Sequence, residues 1–207
     1  MELFQFGNPE AKAVLIQPVG AHDPAGIERE IAEIQKRTKT PFSLLALKTA
    51  DWNTELSPWK ADAVFGNAPF GGGAAAALSE ICALTGERDR TYYIGGYSLA
   101  GLFALWAACQ TDIFEGVAAA SPSVWFPGFT DYLKKNEIQS RAVYLSLGDR
   151  EAGTRNPVMA SVGNKIRETY DILNRRGVPC CLEWNPGNHF QNADRRTAKA
   201  FAWLLNR

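Results

Sequence analysis

Six short apolar runs punctuate the chain, with helix-length segments between them. Residues 13–18 (AVLIQP), 42–47 (FSLLAL), 91–96 (TYYIGG), 114–120 (FEGVAAA), 141–147 (RAVYLSL) and 180–184 (CCLEW) read as strands, FEGVAAA being the weakest in β-propensity. Asp23-Pro24 opens a helix over 25–38 with Ile27, Ile31 and Ile34 on one face. Further helices are expected over 74–85, 99–109, 157–176 and 192–205, the third of these closed by Gly177. This alternation predicts an α/β fold, with a mainly parallel, doubly wound sheet of about six strands. Crossovers in such sheets are right-handed, and ligands sit at the carboxyl ends of the strands. Segment 48–73, rich in Trp, Asn, Pro and Gly, is too broken for a core element, and loops of that length are usually functional.

Composition narrows the field of partners. The 207 residues fit one domain spanning 1–207, and 46% hydrophobic residues suffice for a core. Lys plus Arg equals Asp plus Glu at 22 each, which argues against a nucleic acid or membrane surface held by bulk charge. The pairs Arg175-Arg176 and Arg195-Arg196 read as solvated helix faces. Residues 1–17 lack the basic start, apolar core and cleavage site of a signal peptide, and no run approaches the ~20 residues of a membrane span. Cys82, Cys109, Cys180 and Cys181 lack CxxC spacing and read as buried thiols of a reduced, cytoplasmic protein. Dispersed Cys and two separated His residues give no metal-ligand set, so neither metal nor cofactor is expected.

The candidate chemistry gathers at strand ends. Gly95-Gly96-Tyr97-Ser98-Leu99-Ala100-Gly101 joins a predicted strand directly to a predicted helix, the setting of the nucleophile elbow G-x-S-x-G. Gly96 fills the first small position and Ala100 replaces the second glycine. An activated serine needs a base. His189 follows the sixth strand in Asn185-Pro186-Gly187-Asn188-His189-Phe190, whereas His22 follows the first. An acid must orient that base. The fifth strand ends in Leu147-Gly148-Asp149-Arg150-Glu151, and Glu151 is preferred over Asp149 because it lies three residues past Gly148. The order Ser, acid, His is that of the α/β-hydrolases. Oxyanion donors are expected from the Leu99 N–H and from Val19 or Gly20 in the loop after the first strand. Trp52, Trp59, Phe70, Trp125 and Phe126 either wall a substrate pocket or pin the long segment to the sheet. Trp52, Trp125 and His22 are the candidate substrate contacts, Asp23 reads as a helix cap, and Ser121 and Ser123 are either site residues or turn chemistry.

The strings Gly96-Tyr97-Ser98-Leu99-Ala100-Gly101, Ser121-Pro122-Ser123-Val124-Trp125-Phe126 and Gly187-Asn188-His189-Phe190 resemble the esterase branch of the α/β-hydrolases, with its esterase-D-like and enterochelin-esterase-like proteins. The likeness runs from Ala13 onward. It implies a single-domain α/β-hydrolase, minimal, without leading strands or a cap domain. It also implies a metal-free serine carboxylic-ester hydrolase acting on a small-molecule ester, with Ser98 as nucleophile and His189 as base. An acyltransferase, thioesterase or peptidase on the same three residues, and a silent binding module of the same fold, are the alternatives. A dinucleotide-binding domain is disfavoured, because the glycines do not fit G-x-G-x-x-G.

Overall fold

In the computed structural model, which describes residues 1–20, 24–87 and 89–207, the apolar runs become the body of one sheet. Its strands are β1 (Glu2–Gly7), β2 (Ala13–Val19), β3 (Phe42–Lys48), β6 (Thr91–Tyr97), β7 (Phe114–Ala120), β8 (Ala142–Gly148) and β9 (Cys180–Asn185). Their spatial order is β1-β3-β2-β6-β7-β8-β9. The last six in that order run parallel, and β1 lies antiparallel on β3 with Glu2 opposite Lys48 and Gly7 opposite Ser43. Along β2, Val14 and Ile16 enter one apolar cluster, while Ala13 and Leu15 enter another on the opposite face. Burial on both faces is why these strands appear as apolar runs.

Helices cover both faces. On one side α1 (Pro24–Gln35) packs against α8 (Ala193–Leu205), and α8 lies across β6, β7 and β8. On the other lie α3 (Ala74–Cys82), α4 (Leu99–Ala107), α5 (Phe129–Lys135) and α7 (Val162–Arg175), with the single turn α6 (Pro157–Ala160) before α7. All nine residues of α4 are buried, as expected of a helix that is apolar all round. The chain runs from β2 outward to β3, then returns to β6 on the other flank of β2. Successive connections therefore diverge between β2 and β6, and the crevice at the carboxyl ends of these strands is where such sheets bind ligands.

The expectation of no leading strand is corrected by β1. Nearly all of β1 is exposed, so main-chain pairing with β3 holds it, and no buried apolar run marks it. Segment 48–73 is more ordered than expected: it holds the helical turn α2 (Trp52–Glu55) and a hairpin of β4 (Lys60–Ala61) with β5 (Phe70–Gly71). Asp51 caps α2 by accepting from the Thr54 N–H at 3.0 Å. Side chains on Gly71 and Gly72 would meet Thr54 and the Trp59–Lys60 backbone, so these glycines let the hairpin close. Both basic pairs are also corrected. Arg175 and Arg195 are exposed, but Arg176 donates to the carbonyls of Leu133, Lys134 and Asn136 at the end of α5, and Arg196 is only 1% exposed. The four thiols are unpaired and half-buried rather than fully buried, and burial pushes Cys109 up to about 12.

Phe201 of α8 is fully buried, and its ring occupies the space where a Gly95 side chain would project, 2.7 Å from the ideal Cβ. Truncation leaves a cavity between α8 and β6 that neither backbone can close. Phe201→Ala is expected to lower the unfolding free energy by about 3–5 kcal/mol in urea titrations.

Candidate active site

The turn between β6 and α4 is tight because small residues face each other across it. A Cβ on Gly96 would stand 2.6 Å from the Ala100 Cβ, and one on Gly101 would stand 3.0 Å from the Gly96 carbonyl oxygen. Between them Ser98 adopts φ 59 and ψ −120. Positive φ is costly for a residue with a side chain, and here two bonds to the end of β7 and the loop that follows it hold it. The Ser98 N–H donates to the Ala120 carbonyl at 3.2 Å, and the Ser123 N–H donates to the Ser98 carbonyl at 3.0 Å. The Ser98 hydroxyl is thereby raised at the carboxyl end of the sheet.

His189 enters from the loop between β9 and α8. Its Nε2 lies 3.0 Å from Ser98 Oγ and its Nδ1 lies 2.7 Å from Glu151 Oε2. Tyr97 donates its hydroxyl proton to the His189 carbonyl at 2.7 Å, and its ring sits 5.0 Å from the imidazole. Burial pushes the Tyr97 phenol above its usual value, which keeps it a neutral donor.

Glu151, 8% exposed, projects from the turn after β8. Its second oxygen, Oε1, accepts from Ser121 Oγ at 2.7 Å, the Gly148 N–H at 2.7 Å and Arg196 Nη1 at 2.8 Å. Burial on its own raises the carboxyl pKa. The hydrogen bond and charge of His189, with the Ser121 and Gly148 donors, outweigh that and hold it below its ordinary value of 4.5. Asp149 does something else. Its side chain is 55% exposed, and Oδ1 accepts from the Gly187 N–H at 2.8 Å, tying the turn after β8 to the histidine loop.

Two cavities meet at Ser98. The larger, about 550 Å³, is walled by Trp52, Phe65, Trp125, Met159 and Val162, with Phe190 at its mouth, 89% exposed. The smaller, about 240 Å³, is lined by Val19, Gly20 and Tyr97, and Trp52 borders both. The aromatic residues divide between two tasks. Trp52 and Trp125 face the larger cavity, whereas Trp59, Phe70 and Phe126 form a packed cluster, Phe70 lying 5.0 Å from Phe126 and Trp59 5.5 Å from it. Trp59 Nε1 also donates to the Pro127 carbonyl at 3.0 Å, so this cluster pins the long segment. His22 and Asp23 lie outside the described residues. Among the described residues no group of three His, Cys, Asp or Glu is placed to hold a metal ion, and no helix is long and apolar enough to cross a membrane.

Sequence reasoning left Ser121 and Ser123 undecided and missed Tyr97 and Arg196. The hydroxyl of Ser123 lies 3.2 Å from that of Ser98, and Ser121 contacts Glu151, so both belong to the site. Arg196 carried one usable signal: on a helix of period 3.6 it lies one turn before Ala200, on the buried side of α8.

No protein-family model matches the chain, and no curated protein matches it in sequence. Solved structures do match in shape. The siderophore hydrolase EstA from Aspergillus nidulans superposes with a TM-score of 0.68 at 18% identity, over 97% of this chain and 85% of that one. The enterobactin esterase FES from Shigella flexneri gives 0.67 at 14% identity, over 99% of this chain and 55% of its own. Esterase PE8 gives 0.63 at 19% identity, over 99% of this chain and 97% of its own. The strand order, the strained turn after β6 and these superpositions agree that the chain has the α/β-hydrolase fold, in the form it shares with these esterases.

Proposed function

We propose that the protein is a serine hydrolase that cleaves a carboxylic ester of a small molecule through an acyl-enzyme on Ser98. The observation that carries this reading is the unbroken chain from Ser98 Oγ through both nitrogens of His189 to the buried Glu151, at the floor of an aromatic-walled cavity. Ser98 Oγ attacks the ester carbonyl carbon while His189 Nε2 takes the hydroxyl proton. Glu151 fixes the tautomer that leaves Nε2 unprotonated and stabilises the imidazolium that forms. The tetrahedral adduct then collapses, the C–O bond to the alcohol breaks, and the departing oxygen takes the proton from His189. Water repeats the sequence on the acyl-enzyme and releases the acid. No step calls for a cofactor or metal.

Peptide planarity distinguishes the two oxyanion candidates in the β2 loop. The Val19 carbonyl accepts from the Thr49 N–H at 2.9 Å, so it points toward the β3 side. The Val19–Gly20 peptide is trans, so the Gly20 N–H points the opposite way, toward the β6 side of β2. That direction supports Gly20 over Val19 as the second donor beside Leu99, whose N–H opens α4 immediately after the nucleophile. Trp52 and Trp125 bound the space for the substrate's apolar part. Residues 1–207 act as one domain, and four unpaired thiols support a reducing, cytoplasmic setting. The likeness to ester-cleaving proteins supports an ester rather than an amide substrate.

Ser98→Ala is expected to reduce turnover of a p-nitrophenyl ester by up to about a millionfold, and a fluorophosphonate probe should label Ser98 in the parent protein and nothing in the variant. Equal turnover in the two proteins contradicts the reading. For the acid, Glu151→Gln should cost on the order of ten-thousandfold in kcat while Asp149→Asn costs far less. A reversed ranking moves the orienting role to Asp149.

A depressed carboxyl pKa also predicts a stability signature. The ionised Glu151 stabilises the folded state fully above the ordinary 4.5, and that contribution is lost as pH falls through its lowered folded value. Thermal midpoints recorded from pH 7 down to pH 3 should fall more steeply in the parent protein than in Glu151→Gln. Parallel curves would show that Glu151 titrates alike in the folded and unfolded chain.

A further inference from the structure

The ester reaction as written never touches Arg196, yet this side chain joins more parts of the site than any residue that reacts. It projects from the first turn of α8, whose body is locked across β6, β7 and β8. Nη1 donates to Glu151 Oε1 at 2.8 Å, to Tyr97 Oη at 3.0 Å and to Ser121 Oγ at 3.1 Å. Nη2 donates to the carbonyls of Pro186 and Asn188 at 3.1 Å each. One planar group thus binds the acid, the residue before the nucleophile, the end of β7 and two points on the loop that carries His189. We propose that Arg196 is the positioning residue of this site: it holds the Glu151 carboxylate and the His189 loop in one rigid frame, so that the imidazole stays aligned on Ser98. The proposal rests on the serine-hydrolase reading above.

Three observations favour this over a role in stability alone. First, the ion pair is nearly dry, its side chains being 2% and 3% exposed, and a dry ion pair is often no more stable than the apolar residues that could replace it. Second, Arg196 Nε is buried without a partner among the described residues, a cost that an arrangement selected for stability would avoid. Third, the backbone makes room for the group. A Cβ on Gly148 would stand 2.9 Å from both terminal nitrogens of Arg196 and would meet the Gly187 carbonyl oxygen. The geometry also requires the guanidinium fork. One arm serves the carboxylate while the other serves two carbonyls, and a lysine ammonium on a single stem cannot span both. The titratable and charged groups facing Glu151 are His189 from the β9–α8 loop, Tyr97 from β6 and Arg196 from α8.

The test measures kcat, KM, the pH dependence of kcat and the thermal midpoint on a p-nitrophenyl ester. The proteins are the parent, Arg196→Lys, Arg196→Met, Glu151→Gln and the Glu151→Gln/Arg196→Met double variant. Both Arg196 single variants should lose roughly 10- to 100-fold in kcat, the range for one charge-assisted hydrogen bond, with KM little changed. In Arg196→Met the acid limb should move to higher pH, because loss of the neighbouring cation makes the carboxylate easier to protonate, whereas Arg196→Lys keeps a cation and tests the fork geometry alone. The double variant should be no slower than Glu151→Gln, since the arginine acts through the acid. If Arg196→Met fails to fold, Arg196→Lys still reports kcat, and the double variant buries no unpaired charge. Parent-like kcat in Arg196→Lys, with only a lower thermal midpoint, would overturn the proposal. So would losses that multiply independently in the double variant. Ser98→Ala run alongside separates the two levels: turnover retained there refutes the serine-hydrolase reading, whereas an inactive Ser98→Ala with parent-like Arg196→Lys refutes only the role of Arg196.

Discussion

Ser98 occupies φ 59 and ψ −120, and a side-chain-bearing residue held there costs about 1–3 kcal/mol that the surroundings must offset. Much of the molecule is arranged around this turn. Gly96 and Ala100 are small because strand and helix meet at 2.6 Å between their β-positions. Helix α4 is apolar on every face because it enters the core directly from the turn and has no solvent side. The end of β7 and the loop just after it supply the backbone partners of Ser98, Ala120 and Ser123, so the strain is not held by the turn alone. Divergence of the connections on either side of β2 leaves the hydroxyl in an open crevice.

A second constraint follows once a carboxylate is buried beside that crevice. An ionised acid in a dry setting persists only if its oxygens are satisfied. Glu151 meets this condition with His189 on Oε2 and with Ser121, Gly148 and Arg196 on Oε1. Each partner comes from a different part of the fold: the β9–α8 loop, the end of β7, the end of β8 and α8. The carboxylate therefore works as a junction, and its low proton affinity follows from the same contacts that fix its position. Asp149, two residues away, is exposed and stitches the turn to Gly187, which shows how closely spaced acids acquire separate tasks from their surroundings.

The long segment between β3 and α3 makes the cavity. Its aromatic residues alternate between anchoring and lining: Trp59 and Phe70 pack on Phe126, while Trp52 and Phe65 face the cavity at Ser98, which Trp125 also lines. Phe65 and Phe70 both lie edge-on to or tilted against Trp125, so wall and anchor are mechanically continuous. An unbraced 26-residue loop would collapse onto the apolar floor. Three successive glycines at its end, Gly71 to Gly73, instead let the hairpin fold tightly over α2 and hold the wall off the site.

What the sequence determined by itself was whatever depends on local pattern. Buried parallel strands are apolar on both faces, so six of the seven strands of the main sheet stood out as apolar runs, and the tight strand-to-helix turn required its small residues around Ser98 in adjacent positions. The order of Ser98, Glu151 and His189 was legible because each follows the end of a strand. Three things were decided only by tertiary structure. The edge strand β1, with the sequence ELFQFG, is paired to β3 through its main chain but is almost entirely exposed, so its place in the sheet is not set by burial. The division of the aromatics into wall and anchor depends on how a long segment folds back, which no local pattern encodes. Arg196 looked like half of a solvated basic pair, because charge in a sequence is read as exposure. Its burial is set by residues 8, 10, 45, 75 and 99 positions away, which converge on one guanidinium only when α8 lies across the sheet.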